Sequence, residues 1–158
     1  MPYGTPEEVA SLASMWTDAG EWKDPSETYP ETEPGTNPTL TEVDTWLERV
    51  SSQFNVALGT HWFVPPVDPD VSPDTYSAIS QYVSSLVADL CHFKNSSGRF
   101  FTEKLVERGI TPMRAVLNDI DTWICANADG LVQDHVPQRP ATSNKRQTGF
   151  RVLGELKP

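Results

Sequence analysis

The prolines of this chain mark where helices begin and where none can form. Thr5-Pro6, Ser72-Pro73 and Thr111-Pro112 each place a capping residue directly before a proline. Proline is favoured at the first position of a helix, because the N–H that it lacks would have no partner there. The preceding Thr or Ser hydroxyl can accept a hydrogen bond from the first turn. These three dipeptides therefore predict three helix starts.

A glutamate strengthens the signal for the first two helices. Glu8 follows Thr5 by three residues and Glu42 follows Thr39 in the same way, which is the spacing of a capping box. The second helix is thus predicted to start at Thr39. Apolar residues recur at helical spacing in the first, second and third predicted helices: Val9, Leu12, Ala13 and Trp16; Leu40, Val43, Trp46, Leu47, Val50, Phe54 and Leu58; Tyr76, Ile79, Tyr82, Val83, Leu86, Val87, Leu90 and Phe93. We predict a first helix over about 5–16.

Glycines and further prolines predict where the helices end. Gly59 is predicted to end the second helix and Gly98 the third. Between the first and second helices, the stretch 22–38 contains four prolines, which exclude a regular element and predict a long loop.

The stretch from Gly98 to Gly109 is predicted to be a short connector helix. Phe100 and Phe101 are its expected core anchors, with Leu105 and Val106 on the same face. A fifth helix is expected to follow Thr111-Pro112 and to bury Trp123, as the second buries Trp46. The predicted fold is an all-α bundle of about four to five helices over residues 1–136.

The charge of the chain is divided unevenly. The formal net charge is −10, but residues 137–158 carry five basic side chains against one acidic, so residues 1–136 carry −14. A body this acidic repels the DNA backbone, which argues against nucleic-acid binding through the folded surface. No apolar run approaches the ~20 residues that would span a bilayer.

The last 22 residues are predicted to form an extended basic tail. Its first part, 137–144, is polar and punctuated by proline, whereas 150–156 contains four apolar residues. Such a segment suggests a docking element that orders on a partner. The alternative is a tail without a role.

Motifs for catalysis or metal binding are weak. The three histidines are far apart, and the sequence contains no phosphate-binding glycine loop or nucleophile elbow. Cys91, His92 and Cys125 could bind zinc only if the third and fifth helices met there. We therefore expect no enzyme activity, no cofactor and no metal, and we interpret both cysteines as buried thiols.

Two tryptophans lie in predicted loops. Trp22 and Trp62 are each either packed onto the bundle or offered to a partner. The sequence leaves both alternatives open.

Several motifs in order carry a resemblance to a known family. They are Tyr3-Gly4-Thr5-Pro6-Glu7-Glu8-Val9 with Trp16-Thr17-Asp18, Asn37-Pro38-Thr39-Leu40 with Trp46-Leu47, Gly98-Arg99-Phe100-Phe101-Thr102 with Glu107-Arg108-Gly109, and Asn127-Ala128-Asp129-Gly130-Leu131, expected after the fifth helix. Over about 3–132 the chain resembles the head–tail connector, or adaptor, proteins of long-tailed double-stranded DNA bacteriophages.

The resemblance implies a non-enzymatic virion protein, made in the host cytoplasm and assembled at the neck. It implies a ring of about a dozen copies that joins the portal to the next connector or tail component and lets DNA pass. The tail would then dock on the portal, and four residues are candidate subunit contacts. The tail residues are Phe150, Arg151, Val152, Leu153 and Leu156, and the subunit contacts are Arg99, Arg108, Trp22 and Trp62.

Three other classes compete with this interpretation. A terminase small subunit or other helical DNA-packaging protein would need a basic recognition face. A small metal-dependent enzyme or regulator would be built around Cys91, His92 and Cys125. A stopper or tail-completion protein is disfavoured by the helical pattern.

Overall fold

Four helices and one 3₁₀ turn make up the regular structure in the described part of the chain. A computed structural model of the protein describes residues 2–26, 34–95 and 112–139. The helices are α1 (Pro6–Leu12), α2 (Leu40–Thr60), α3 (Pro73–Asn95) and α4 (Pro112–Gln133), with the 3₁₀ turn at Ser14–Trp16. α2 and α3 are central, since each of them contacts the other three helices. The fold class is all-α, as predicted, and no strand occurs in these three ranges.

The capping boxes predicted for α1 and α2 are both present. Thr5 and Glu8 exchange two hydrogen bonds of 3.3 Å, and Thr39 and Glu42 do the same at 3.0 and 3.3 Å. α1 ends at Leu12, however, so the predicted helix over 5–16 continues only as the 3₁₀ turn. Local sequence thus determines where these helices start better than where they end.

The proline-rich stretch is a loop in the parts that the structure describes. Lys23 and Thr36 hold its two ends together, because the Thr36 N–H donates to the Lys23 carbonyl and the Lys23 N–H to the Thr36 hydroxyl, both at 2.9 Å. The Asp24 carboxylate then accepts from the N–H and the hydroxyl of Thr41, in the first turn of α2. These hydrogen bonds lower the pKa of Asp24.

Phe54 of α2 lies at the centre of an aromatic cluster in the core. It is fully buried and makes edge contacts with Tyr3, Tyr82 and Trp123, at ring-centroid distances of 5.4 to 6.2 Å. Tyr82 and Trp123 are stacked with their centroids 5.3 Å apart. Burial, with a smaller contribution from Asp119, raises the pKa of Tyr82 to about 12. This cluster joins α2, α3 and α4 into one core.

Residues 3–5, which we call the amino-terminal segment, belong to the same core. Tyr3 is 1% exposed and its N–H donates to Ser51 at 2.8 Å. Its hydroxyl donates to Asn55 at 2.8 Å and accepts from the Val67 N–H at 2.9 Å. Burial raises the pKa of Tyr3. Every polar group of this side chain is therefore satisfied inside the protein.

Gly4 allows this segment to lie close to α3. Its φ is +79°, and a Cβ there would lie 2.3 Å from the Ser84 hydroxyl oxygen. The Ser84 hydroxyl donates to Glu8 at 2.9 Å, which connects the start of α1 to α3. A side chain at position 4 would be strained and would also clash.

Candidate functional site

The end of α2 lies beyond the glycine that was predicted to end it. α2 passes through Gly59 and ends at Thr60. The left-handed residue is Trp62, with φ 70°, and the Phe63 N–H donates to the Leu58 carbonyl at 3.1 Å. This is the hydrogen bond of a Schellman motif, and Leu58 and Phe63, the two positions that form an apolar contact in such motifs, are both buried. Apolar packing thus outweighs the glycine signal here.

The end of α4 has the same geometry. The motif 127–131 was expected to follow the helix, but α4 continues to Gln133. His135 is left-handed, with φ 58°, and the Val136 N–H donates to the Leu131 carbonyl at 3.1 Å. Leu131 and Val136 are both buried, so an apolar contact again coincides with the end of the helix.

The chain segments that leave these two helices pair with each other. The Val64 N–H donates to the Pro137 carbonyl and the Arg139 N–H to the Trp62 carbonyl, both at 2.7 Å. We call residues 137–139 the carboxy-terminal segment; all three side chains are exposed. The beginning of the predicted tail is thus fixed to the bundle by backbone hydrogen bonds.

Trp62 is an exposed aromatic residue with a positive φ, next to the two paired segments. Its side chain is 57% exposed, and Val64 on the same strand-like stretch is 39% exposed. A bulky residue with positive φ is rare outside functional or strained positions. Of the two alternatives for Trp62, packing onto the bundle is therefore the one that its exposure disfavours, and an offer to a partner stays a prediction.

Trp22 corrects the prediction of a subunit contact. Its side chain is only 6% exposed, and its indole N–H donates to the Pro6 carbonyl at 3.0 Å. It packs between the loop and α1, and a side chain buried in its own subunit is not available to a neighbour.

The two tryptophans predicted as core anchors are half-buried. Trp123 packs in the aromatic cluster around Phe54, as described above. Trp46 packs at the edge of the core, and the Lys94 ammonium lies 6.0 Å from the centroid of its ring. Both residues support the core, but neither is enclosed by it.

Most of the other predicted site residues lie outside the described residues. These are the connector residues Arg99, Phe100, Phe101 and Arg108, and the tail residues Phe150, Arg151, Val152, Leu153 and Leu156. The predicted fourth helix over this connector also lies there.

Asp134 ties the end of α4 to the start of α3. Its carboxylate accepts a hydrogen bond from the Thr75 N–H at 2.9 Å. Thr75 lies in the first turn of α3, where the Ser72 hydroxyl was predicted to accept. Ser72 instead donates its hydroxyl to the Asp134 carbonyl at 2.7 Å. The two hydrogen bonds from Thr75 lower the pKa of Asp134. The cap of α3 is therefore supplied from 59 residues away.

The surface of the described residues is strongly acidic. Among the acidic side chains whose burial is described, only Glu42 and Asp134 are half-buried, and the others are exposed. Burial and the neighbouring carboxylates Glu48, Asp24 and Glu7 raise the pKa of Asp44. Like charges thus gather where α1, the loop and α2 meet, and this face favours a cationic partner.

The two cysteines occupy different environments. Cys91 is buried, as predicted, and desolvation raises its pKa to about 12. Cys125 is exposed on α4, which corrects the prediction of a second buried thiol. His92 accepts a hydrogen bond from the Trp16 indole at 2.8 Å. The grouping of Cys91, His92 and Cys125 considered from the sequence does not form in the structure.

A different set of potential ligands lies between α2 and α4. His61 Nε2 is 2.7 Å from Asp121 Oδ1, and Cys125 lies one turn further along α4. The potential ligand atoms of the three residues all lie within 4.8 Å of one another. The only sequence signal was the spacing of four between Asp121 and Cys125, which places them on one helix face.

Comparisons of the chain with protein-family models, with curated proteins and with solved structures found no match. No helix in the described ranges has the length and apolar character that crossing a membrane requires.

Proposed function

We propose that the protein is a structural subunit of a bacteriophage head–tail connector. In this proposal it forms a ring that joins the portal to the next connector or tail component and continues the DNA channel. The proposal starts from the resemblance in the motifs of residues 3–132. It assigns the folded body to the ring and the tail to the portal.

The observation that carries the proposal is the way the tail begins. Residues 137–139 are fixed to the bundle by two backbone hydrogen bonds of 2.7 Å, next to the exposed Trp62. A partner that binds the tail would therefore also meet a large exposed aromatic side chain. Exposed tryptophans are frequent anchors of protein interfaces.

The acidic surface is compatible with a DNA channel. Phosphates are repelled by carboxylates, so DNA would pass such a surface without binding to it. The basic tail of one copy could be attracted to the acidic body of another or to an acidic partner. A terminase small subunit would instead need a cationic surface, and the folded body carries few cations.

The experiment is quantitative mass spectrometry on phage particles purified from cells that make the protein. The portal protein serves as the internal standard. We expect about one copy per portal subunit, as for stacked rings of matching symmetry. Absence from the particles would contradict the proposal, and tight binding to DNA in a gel shift at modest salt would favour the packaging class.

A matched pair of variants tests the part assigned to Trp62. Trp62→Gly and His135→Gly each place glycine at the left-handed position after a helix, but only the first removes an exposed aromatic. We expect Trp62→Gly to fold normally and to be depleted from particles, whereas His135→Gly is incorporated like the wild type. Equal incorporation of both would remove Trp62 from the interface.

A further inference from the structure

His61, Asp121 and Cys125 form a cluster of potential metal ligands to which the proposed function assigns no role. His61 caps the C-terminus of α2, where its N–H donates to the Ala57 and Leu58 carbonyls at 3.1 Å. Asp121 and Cys125 are four residues apart within α4. Their backbone positions are therefore fixed by two helices that pack against each other.

The separation of the three side chains suits a small metal ion. Zinc binds histidine nitrogen, carboxylate oxygen and thiolate sulfur at about 2.0–2.3 Å, which puts the ligand atoms about 3.3–3.6 Å apart in a tetrahedron. Here the three atoms lie within 4.8 Å, with the imidazole and carboxylate in hydrogen-bond contact at 2.7 Å. Small rotations that part His61 from Asp121 and bring Cys125 closer would produce the required spacing.

These rotations cost little free energy, because the three side chains are exposed or half-buried. The side chain of Asp121 is 62% exposed and that of His61 is 30% exposed, and Cys125 is exposed. None of the three belongs to the buried core. The site can therefore adjust around an ion without repacking the bundle.

The chemistry of the ligands selects among metals. One imidazole, one carboxylate and one thiolate match zinc or cobalt, whereas calcium and magnesium prefer oxygen ligands only. The carboxylate and the thiolate also balance the two positive charges of the ion. The thiol releases its proton to solvent on binding.

We propose that His61, Asp121 and Cys125 form a zinc site that bridges the C-terminus of α2 and the middle of α4. Three protein ligands leave the fourth position to water. The bound ion fixes the residue directly before Trp62, so it stabilises the surface described above. The proposal does not depend on the connector function.

The first test is a titration with Co²⁺, followed by displacement with Zn²⁺, on reduced protein without an affinity tag. We expect absorption bands of tetrahedral cobalt with a thiolate charge-transfer band. Cys125→Ser should abolish that band, and Asp121→Asn should weaken binding by about tenfold or more. Asp119→Asn is the matched control, because Asp119 is an exposed acid on the same helix outside the cluster, and it should bind like the wild type.

Three results would overturn the proposal. They are no charge-transfer band in the wild type, a band that persists in Cys125→Ser, and equal weakening by Asp119→Asn and Asp121→Asn, which would indicate adventitious binding to acidic surface. Circular dichroism of each variant checks that it is folded.

A second test needs no variant. Zn²⁺ should slow the alkylation of Cys125 by a maleimide, measured by peptide mass spectrometry, while the buried Cys91 stays unreactive with or without the ion. Alkylation of Cys125 at an unchanged rate in saturating Zn²⁺ would also contradict the site.

Discussion

The amino-terminal and carboxy-terminal segments both lie outside the helices and against them, but they are held in different ways. Tyr3 is 1% exposed and uses its side chain and backbone in buried hydrogen bonds. The carboxy-terminal segment makes two backbone hydrogen bonds, and its side chains are exposed. The first segment is part of the core, whereas the second is attached to the surface by its backbone.

The largest effect is expected from Tyr3→Phe. This change keeps the ring but leaves the Val67 N–H and Asn55 without the hydroxyl that satisfies them. We expect a loss of about 2 kcal/mol in the free energy of unfolding, because buried polar groups without a partner are costly. Chemical denaturation measures it, with Tyr76→Phe as the control on a half-buried tyrosine. A loss no larger than that of the control would show that Tyr3 is held by packing alone.

Asp134→Asn tests a link that lies just before the carboxy-terminal segment. Thr75 lowers the pKa of Asp134, so the stability that this carboxylate supplies is present above its unfolded pKa, near 3.8, and is lost as the pH falls through the lowered folded value. We expect the variant to melt below the wild type at neutral pH and the two melting temperatures to converge in acid. Asp129→Asn on α4 is the control. A constant difference at all pH values would exclude the charge as the cause.

Trp62→Gly should change stability in the opposite direction. Glycine takes the left-handed conformation without the steric cost that Trp62 bears, so we expect a gain of about 0.5–1 kcal/mol. Thermal unfolding measures it. A loss of stability would show that the indole packs onto the bundle, to which the carboxy-terminal segment is attached through the Trp62 carbonyl.

The smallest global effect is expected from Arg139→Pro. Proline removes the N–H that donates to Trp62, and Arg139→Ala is the matched control because it keeps that N–H. We expect unchanged melting, but hydrogen exchange at the Val64 amide faster by about tenfold, since a net hydrogen bond is worth about 1 kcal/mol. A large drop in melting temperature would mean that the carboxy-terminal segment belongs to the core after all.

Sequence reasoning predicted the helices well because their starts depend on neighbouring residues. The boxes Thr5–Glu8 and Thr39–Glu42 are complete within four residues, and both are found. The cap of α3 was misassigned, because the carboxylate that accepts from its first turn belongs to Asp134, 59 residues along the chain. A contact over that separation leaves no periodic or local signal.

The helix ends and the candidate site show the same limit. Gly59 was predicted to end α2 and residues 127–131 were expected to follow α4, yet the left-handed residues are Trp62 and His135, which lie beyond both positions. The burial of Trp22 could not be predicted from the sequence either, because only the packing of the folded chain decides whether a loop tryptophan is buried. His61 and Asp121 are 60 residues apart and meet only through the packing of α2 on α4.

The contrast between Trp62 and the other tryptophans has a spectroscopic consequence. Trp16, Trp22, Trp46 and Trp123 are buried or half-buried, whereas the indole of Trp62 is largely in water. Its fluorescence is therefore the red-shifted and quencher-accessible part of the emission. A partner that covers this end of the bundle would shift that emission to the blue and protect it from iodide, so the native protein already carries an optical reporter of docking.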